Sequence, residues 1–180
     1  MNRAELAGRG TERTFLAHIL ESGRPPGGPK AEPFRLEQLT ESGFPATRGM
    51  TDPSLLLDAY AVTVAQRAGD EGRDATRLLR AMRVLATLEG QAVPDQTIWN
   101  AADINKITWK AYDDLLQRTH LSVPLAAFES NRLKRLTSYP KRFLADVALA
   151  CSLADLDAER LRNDPRAAGG YLESFVMQQL

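Results

Sequence analysis

Positive charge is concentrated in the segment NRLKRLTSYPKRF, which spans Asn131 to Phe143. The whole chain of 180 residues carries 23 basic and 23 acidic residues, so its formal net charge is zero. Lysine and arginine side chains at this density are suited to contacts with the phosphate oxygens of nucleic acids. Because the chain as a whole is neutral, a nucleic-acid-binding surface would have to be a local patch. The segment contains five basic residues and no acidic ones: Arg132, Lys134, Arg135, Lys141 and Arg142.

Two interpretations of this basic segment stay open. In an extended strand the side chains alternate between faces, so Arg132 and Lys134 would share one face and Arg135 would lie on the other. One interpretation is that Arg132, Lys134 and Arg135 contact DNA phosphates. The other is that their charge protects a solvated strand edge from pairing with other strands.

A helix predicted over INKITWKAYDDLLQRTH is the second candidate for a DNA contact. Its side chains Lys106, Thr108 and Lys110 suit a helix that enters the major groove with a polar N-terminal half. Asp113 and Asp114 argue against this function, because carboxylates repel phosphate. The alternative is that the helix packs on neighbouring domains and contacts no nucleic acid.

The apolar residues of several stretches recur at intervals of three and four, which predicts amphipathic helices. We expect these residues to face a hydrophobic core. In the stretch that begins at Ser54 they are Leu56, Tyr60 and Val64, and in the next they are Leu78, Met82 and Leu85. In INKITWKAYDDLLQRTH they form two series, Ile104, Ile107, Ala111, Leu115 and Trp109, Tyr112, Leu116.

The order of the predicted elements indicates a mainly α fold with a small β-hairpin. Three helices precede two or three short strands in LSVPLAAF, RLKRL and RFLA, which is the order of a winged helix-turn-helix. The basic segment would then form the far side of the wing. Asp146, Asp157 and Asp164 are predicted N-caps of the helices that follow.

Several functional classes have no support in the sequence. His18, His120 and the single cysteine, Cys151, do not form a zinc ligand set, and no nucleophile–base arrangement is indicated. No stretch is long and apolar enough to predict a membrane span. The single cysteine fits a reducing compartment, so we expect a cytoplasmic location.

An ordered set of motifs resembles part of a known family. The motifs are T-x-K-x-Y-x-x-L from Thr108, S-N-R-L-K-R-L from Ser130, P-K-x-F-x-x-D from Pro140 and L-E-S-F-V from Leu172. Together they resemble the C-terminal portion of predicted bacterial and archaeal ATPases of the AAA+/STAND-like class that end in domain of unknown function 4143. The resemblance implies a chain that lacks the ATPase core and the end of a restriction-endonuclease-like domain.

The resemblance also implies a domain organisation. Residues 1–72 would be the helical segment after the missing ATPase core, and residues 73–146 would be the winged helix-turn-helix. Residues 147–180 would be the first helices of the truncated nuclease-like domain. Intact members of the family bind ATP and magnesium, but no cofactor is expected in this chain because it lacks the P-loop.

A nucleotide contact is implied by the resemblance at one turn of the chain. In related ATPases a Gly-x-Pro turn places its proline against adenine, which would assign cofactor contacts to Gly43 and Pro45 in an intact protein. The alternative interpretation of SGFP is a helix stop followed by a turn.

Two functions remain open at this point. The first is a non-catalytic fragment of an ATP-binding protein whose winged helix binds duplex DNA. The second is a regulatory or scaffold module that contacts the missing ATPase and nuclease-like domains, or a partner protein, without binding nucleic acid. No metal site and no membrane partner are predicted in either case.

Overall fold

A computed structural model describes residues 15–24, 33–70, 72–128 and 138–179. Within these ranges the chain forms eight α-helices, two short 3₁₀ helices and a two-stranded antiparallel sheet. The first helices are α1 Phe15–Ser22, α2 Ser54–Asp70, α3 Ala75–Thr87, α4 Asp95–Ala101 and α5 Lys106–Arg118. They are followed by β1 Ser122–Leu125, β2 Lys141–Leu144, α6 Val147–Leu153, α7 Ala158–Asn163 and α8 Pro165–Gln179. The 3₁₀ helices are Leu36–Leu39 and Pro45–Thr47.

Asparagine and aspartate caps fix where several helices begin. Asp74 accepts a hydrogen bond from the Arg77 backbone N–H at the start of α3, and Asn105 accepts one from Thr108 at the start of α5. The predicted caps are confirmed: Asp146, Asp157 and Asp164 accept from Leu149, Arg160 and Ala167. Each cap satisfies a backbone donor that the first turn of a helix leaves without a partner.

The predicted stripe of α3 is confirmed, whereas that of α2 is confirmed only at Val64, which packs against the core. Leu78, Met82 and Leu85 are buried in one hydrophobic cluster, which also includes residues from α2, α5, α6 and α8. In α2 the buried positions are instead Leu57, Ala61, Ala65 and Ala68, and Leu56 and Tyr60 are exposed. Small alanines let α2 approach its neighbours closely, and their low hydrophobicity made this face hard to recognise in the sequence.

The sheet is short, and the connection between α3 and α4 extends it by one residue. In the antiparallel pairing of β1 with β2, Ser122 lies opposite Leu144 and Leu125 lies opposite Lys141. Ala92 forms an isolated antiparallel bridge to Lys141, on the opposite side of β2 from β1. Strand β2 therefore lies between β1 and the residue that leads into α4.

Two buried carboxyl groups join α8 to the rest of the molecule. Glu89 follows α3 and accepts hydrogen bonds from the Leu144 backbone N–H and from the Ser174 hydroxyl, at 3.0 and 2.7 Å. Asp146 precedes α6 and accepts from the Gln178 side-chain amide at 3.3 Å. Hydrogen bonds of this kind offset part of the cost of burying a polar group.

The coarse fold prediction is confirmed: the described residues are mainly helical and include a small antiparallel sheet. The division at residues 72 and 146 stays a prediction, although described residues from all three segments share one hydrophobic cluster. Across the described residues, none of the helices combines the length and apolar character that a membrane crossing requires.

Candidate nucleic-acid interface

Helix α5 is held on its inner side by aromatic residues. Trp109, Tyr112 and Leu116 are buried in the core, so this series of the sequence prediction is confirmed. The Tyr112 hydroxyl donates to the backbone oxygen of Asp74 at 3.0 Å, which joins α5 to the start of α3. Burial raises the pKa of the Tyr112 hydroxyl and keeps it protonated as a donor. These contacts fix which face of α5 points outwards.

The outer face of α5 presents two lysines and an isoleucine near the start of the helix. Lys106 and Lys110 are exposed, and neither forms an ion pair within the part of the chain that the structure describes. Ile107 lies between them in sequence and is 82% exposed, so its prediction as a core residue is wrong. Leu115, from the same predicted series, is buried, so the error concerns Ile107 and not the whole series.

The two acidic residues of α5 are both paired with arginines. Asp113 is half-buried and lies 3.3 Å from the Arg142 side chain, measured from Oδ1 to Nε. Asp114 lies 3.1 Å from Arg118, one turn further along the same helix. The sequence argument that these carboxylates would repel phosphate is therefore weakened, because each carries a cation beside it.

Arg142 is part of the interior and not of an exposed basic patch. Its side chain is only 9% exposed, forms a 2.8 Å ion pair with Asp95 at the start of α4, and lies 5.5 Å from the Trp109 ring centroid. One arginine of β2 thus contacts α4 and α5 together. Loss of the arginine would be costly, because it would leave the carboxylates of Asp95 and Asp113 without this cation.

The remaining residues of the basic segment divide into two groups. Lys141 is used within the fold, where its ammonium group lies 2.6 Å from a carboxylate oxygen of Glu173 on α8. The predicted DNA contacts Arg132, Lys134 and Arg135 lie outside the described residues, so they stay predictions. By sequence these three residues contribute three positive charges to the segment. The charges of Lys141 and Arg142 are paired with carboxylates of the fold.

The third predicted contact on α5, Thr108, is half-buried. Its backbone N–H donates to the Asn105 side chain at 2.8 Å and so completes the N-cap. Lys106 and Lys110 are therefore the more accessible members of the predicted group. Ile107 is the exposed residue that sequence reasoning missed.

The turn at Gly43 and Pro45 has a structural role in the described fold. Gly43 is buried, and its backbone N–H donates to Oδ2 of Asp146 at 2.7 Å. The Ser42 hydroxyl donates to the same oxygen at 3.1 Å. Pro45 is exposed and begins the second 3₁₀ helix. This region of the chain therefore connects to the cap of α6, and the alternative interpretation as a turn accounts for both residues.

The described residues offer no metal site. Among the residues that the structure describes, no group of three or more His, Cys, Asp or Glu side chains is arranged to hold a metal ion. Cys151 is buried, and burial together with the nearby Glu89 and Asp146 carboxyls raises the pKa of its thiol to about 12. A thiol with that pKa is protonated at neutral pH and unreactive as a nucleophile.

Comparison with known proteins gives a single finding. A family model with the description Domain of unknown function (DUF8612) matches residues 43–160. This range contains the whole described part of α2 to α6, including α5 and both strands. No curated protein matches the chain, and no solved structure matches it.

This finding contradicts the resemblance to ATPases that end in domain of unknown function 4143. The motifs that carried the resemblance consist largely of residues with general structural roles. Such residues occur in many folds and do not identify one family. Asp146 is a helix cap, Lys141 is one half of an ion pair, and Tyr112 is a core residue. The nucleotide contacts assigned to Gly43 and Pro45 rested on that resemblance and lose their basis with it.

Proposed function

Since the chain belongs to the family described as Domain of unknown function (DUF8612), whose description names no activity, we propose a function from the site itself. The proposed function is non-catalytic binding of duplex DNA by a winged-helix module that spans α3 to β2. In this proposal α5 enters the major groove, and the connection between β1 and β2 is the wing that contacts the backbone.

The order and pairing of the elements support the winged-helix interpretation. Helices α3, α4 and α5 are followed by the antiparallel pair β1 and β2, and Ala92 between α3 and α4 bridges to Lys141 on the far side of β2. A winged helix has three helices and a small sheet in this arrangement. The buried Arg142 contacts α4 and α5 from β2, so the sheet and the two helices are held in one orientation.

The observation that carries the DNA-binding proposal is the distribution of charge on α5. Lys106 and Lys110 are exposed without an ion-pair partner in the described part of the chain, whereas Asp113 and Asp114 are both paired with arginines. A positive surface of this kind lowers the free energy of a phosphate placed against it, and binding releases counterions from the DNA. Lys106 and Lys110 lie four residues apart and therefore on one side of the helix.

A salt titration of DNA binding tests this proposal. Affinity for a labelled duplex of about 20 base pairs, roughly two helical turns, would be measured at several salt concentrations. We expect the Lys106→Ala/Lys110→Ala variant to bind more weakly. The slope of log affinity against log salt should flatten by about 2, because each phosphate contact contributes about 0.9 to it.

A control variant separates these two lysines from the general charge of the chain. Arg67 on α2 and Arg166 on α8 are also exposed, so Arg67→Ala/Arg166→Ala removes the same charge from other elements. We expect this control to keep the wild-type slope. No binding by the wild type at about 50 mM salt, or equal slopes for all three proteins, would refute the proposal.

One observation favours a second function, the contact with a partner protein. Leu125, Phe128 and Tyr139 line a groove of 580 Å³ beside the sheet, and Phe128 is 99% exposed. Exposed aromatic residues are frequent at protein interfaces. If the wild type fails to bind DNA and Phe128→Ser abolishes a partner contact without loss of stability, the scaffold function replaces the first proposal.

A further inference from the structure

We infer that Ile107 reads thymine in the major groove and gives the module a preference for A·T-containing duplexes. This inference rests on the proposed function, because it assigns a base contact to the same face of α5. The lysines would contact phosphates, and such contacts carry no sequence information directly. Ile107 would contact the bases.

The first support is the position of Ile107 on the outer face of α5. It is 82% exposed, and it follows Lys106 and precedes Lys110 by three residues. Residues three and four apart on a helix are neighbours on its surface, so Ile107 and Lys110 lie side by side. An aliphatic side chain therefore lies within a positive surface whose charge is complementary to DNA.

The second support is the chemistry of the groove. The edges of the base pairs present hydrogen-bond donors and acceptors to the major groove, and thymine alone adds an apolar group, its C5 methyl. Isoleucine has no polar atom beyond its backbone, so among these groups only the methyl offers it a favourable contact. Because the backbone of α5 is held by Tyr112 and Arg142 on its inner side, Ile107 is presented in a fixed direction.

The third support is that Ile107 lies outside the hydrophobic core that the described residues form. The buried apolar surface of α5 consists of Trp109, Tyr112, Leu115 and Leu116, and Ile107 is not part of that cluster. A substitution at Ile107 can therefore change a base contact without removing a core residue. This makes the inference testable in folded protein.

Replacement of thymine by deoxyuridine is the direct test, because it removes the C5 methyl and keeps the base pair. Two duplexes of about 20 alternating A·T pairs would be compared, one with thymine and one with deoxyuridine at every such position. We expect wild-type protein to bind the thymine duplex about fourfold more tightly for each methyl buried, the factor that corresponds to one apolar carbon. Ile107→Ala should bind both duplexes equally, and Ile107→Val should keep part of the preference.

Leu55 on α2 provides a matched control. It is 83% exposed, almost the same as Ile107, so Leu55→Ala removes an equally exposed aliphatic side chain from a different helix. This control should keep the wild-type preference for thymine. Thermal melts of every variant would show that the comparison is made between folded proteins.

The outcomes separate the inference from the proposed function. If wild-type protein binds both duplexes with equal affinity, the reading of thymine is refuted while DNA binding stands. If Ile107→Ala keeps the thymine preference, the methyl is read by another residue and the inference is again wrong. If wild-type protein binds neither duplex, both the inference and the proposed function fail.

Discussion

The junction between β2 and α8 and the outer face of α5 use polar residues in opposite ways. At the junction, the carboxyl groups of Glu89 and Asp146 are buried and each accepts several hydrogen bonds from other elements. On α5, Lys106 and Lys110 are exposed to solvent without an ion-pair partner among the described residues. Both regions are polar, but among the described residues the carboxyl groups of the junction have hydrogen-bond donors and the two lysines of α5 have no ion-pair partner.

This difference indicates which residues hold the fold and which are available for a ligand. A buried carboxyl group loses its hydrogen bonds to water, and donors of the protein must replace them. Every element that supplies such a donor is therefore held in place. An exposed lysine keeps its hydration and gives little stability. Substitution should therefore change the free energy of unfolding at the junction and change DNA binding on α5.

The largest expected effect is the pH dependence contributed by Glu89. This residue is 2% exposed, and burial raises the pKa of its carboxyl to about 8 from an ordinary value of 4.5. Between these two values the folded protein keeps a proton that the unfolded chain releases. Raising the pH over this interval should therefore lower the free energy of unfolding, by up to about 1.4 kcal/mol per pH unit.

Chemical denaturation of wild type and Glu89→Gln from pH 5 to pH 8 measures this effect, because the range begins just above the unfolded pKa and ends at the folded one. The amide cannot ionise and keeps an oxygen to accept from Leu144 and Ser174, so its profile should be flatter and its advantage largest at the upper limit. Glu159→Gln removes an exposed carboxylate from α7 and serves as the control for the loss of one charge. Parallel profiles for wild type and Glu89→Gln would contradict the assignment.

The second prediction compares two adjacent glycines of α8. A Cβ added at Gly170 would overlap the backbone oxygen of Glu89, whereas a Cβ added at Gly169 would meet nothing nearby. We expect Gly170→Ala to lower the free energy of unfolding by about 2 kcal/mol, since overpacking forces the elements apart. Gly169→Ala should raise it by up to about 1 kcal/mol, because alanine is the better helix former.

The opposite signs of these two changes are the critical result. Helix propensity alone would make both substitutions stabilising, so only the close approach of α8 to Glu89 explains a loss at Gly170. Urea denaturation of the two variants beside wild type is sufficient for the measurement. A gain in stability for Gly170→Ala would show that α8 does not pack on Glu89 this closely.

The sequence predicted the elements of both regions better than their contacts. Periodicity and capping residues are local signals, so α3, α5, the strands and the caps Asp146, Asp157 and Asp164 were recognised. The partners of Glu89 lie 55 and 85 residues away in the chain, and no local pattern indicates them. The junction was therefore not predicted.

The face of α5 was predicted in part for a related reason. Lys106 and Lys110 differ from the apolar pattern and were recognised as exposed, but Ile107 fits a helical spacing and was assigned to the core. The series that contains Ile107 also contains the buried Leu115, so spacing alone does not show which of its members face the core. The pairing of Asp113 with Arg142 across 29 residues was likewise not recognisable from spacing.

The smallest expected effect is that of the lysines of α5 on stability. Lys106→Ala and Lys110→Ala, alone or together, should change the free energy of unfolding by less than about 0.5 kcal/mol, the usual range for exposed positions without special contacts. Alanine is also the best helix former, so these substitutions lose no helix propensity. The same two substitutions are expected to weaken DNA binding, so stability and function should separate in one variant.

Asp113→Asn is the control that makes this separation informative. It removes one of the two charge partners of the buried Arg142, which keeps its ion pair with Asp95, and should therefore destabilise the fold measurably, although it also makes α5 more positive. Denaturation of the lysine variants and of Asp113→Asn in one buffer compares the two regions directly. A loss of more than about 1 kcal/mol in the lysine double variant, a size typical of buried or partnered positions, would mean that these side chains belong to the fold. Lys106 and Lys110 would then no longer qualify as the exposed positive surface on which the DNA-binding proposal depends.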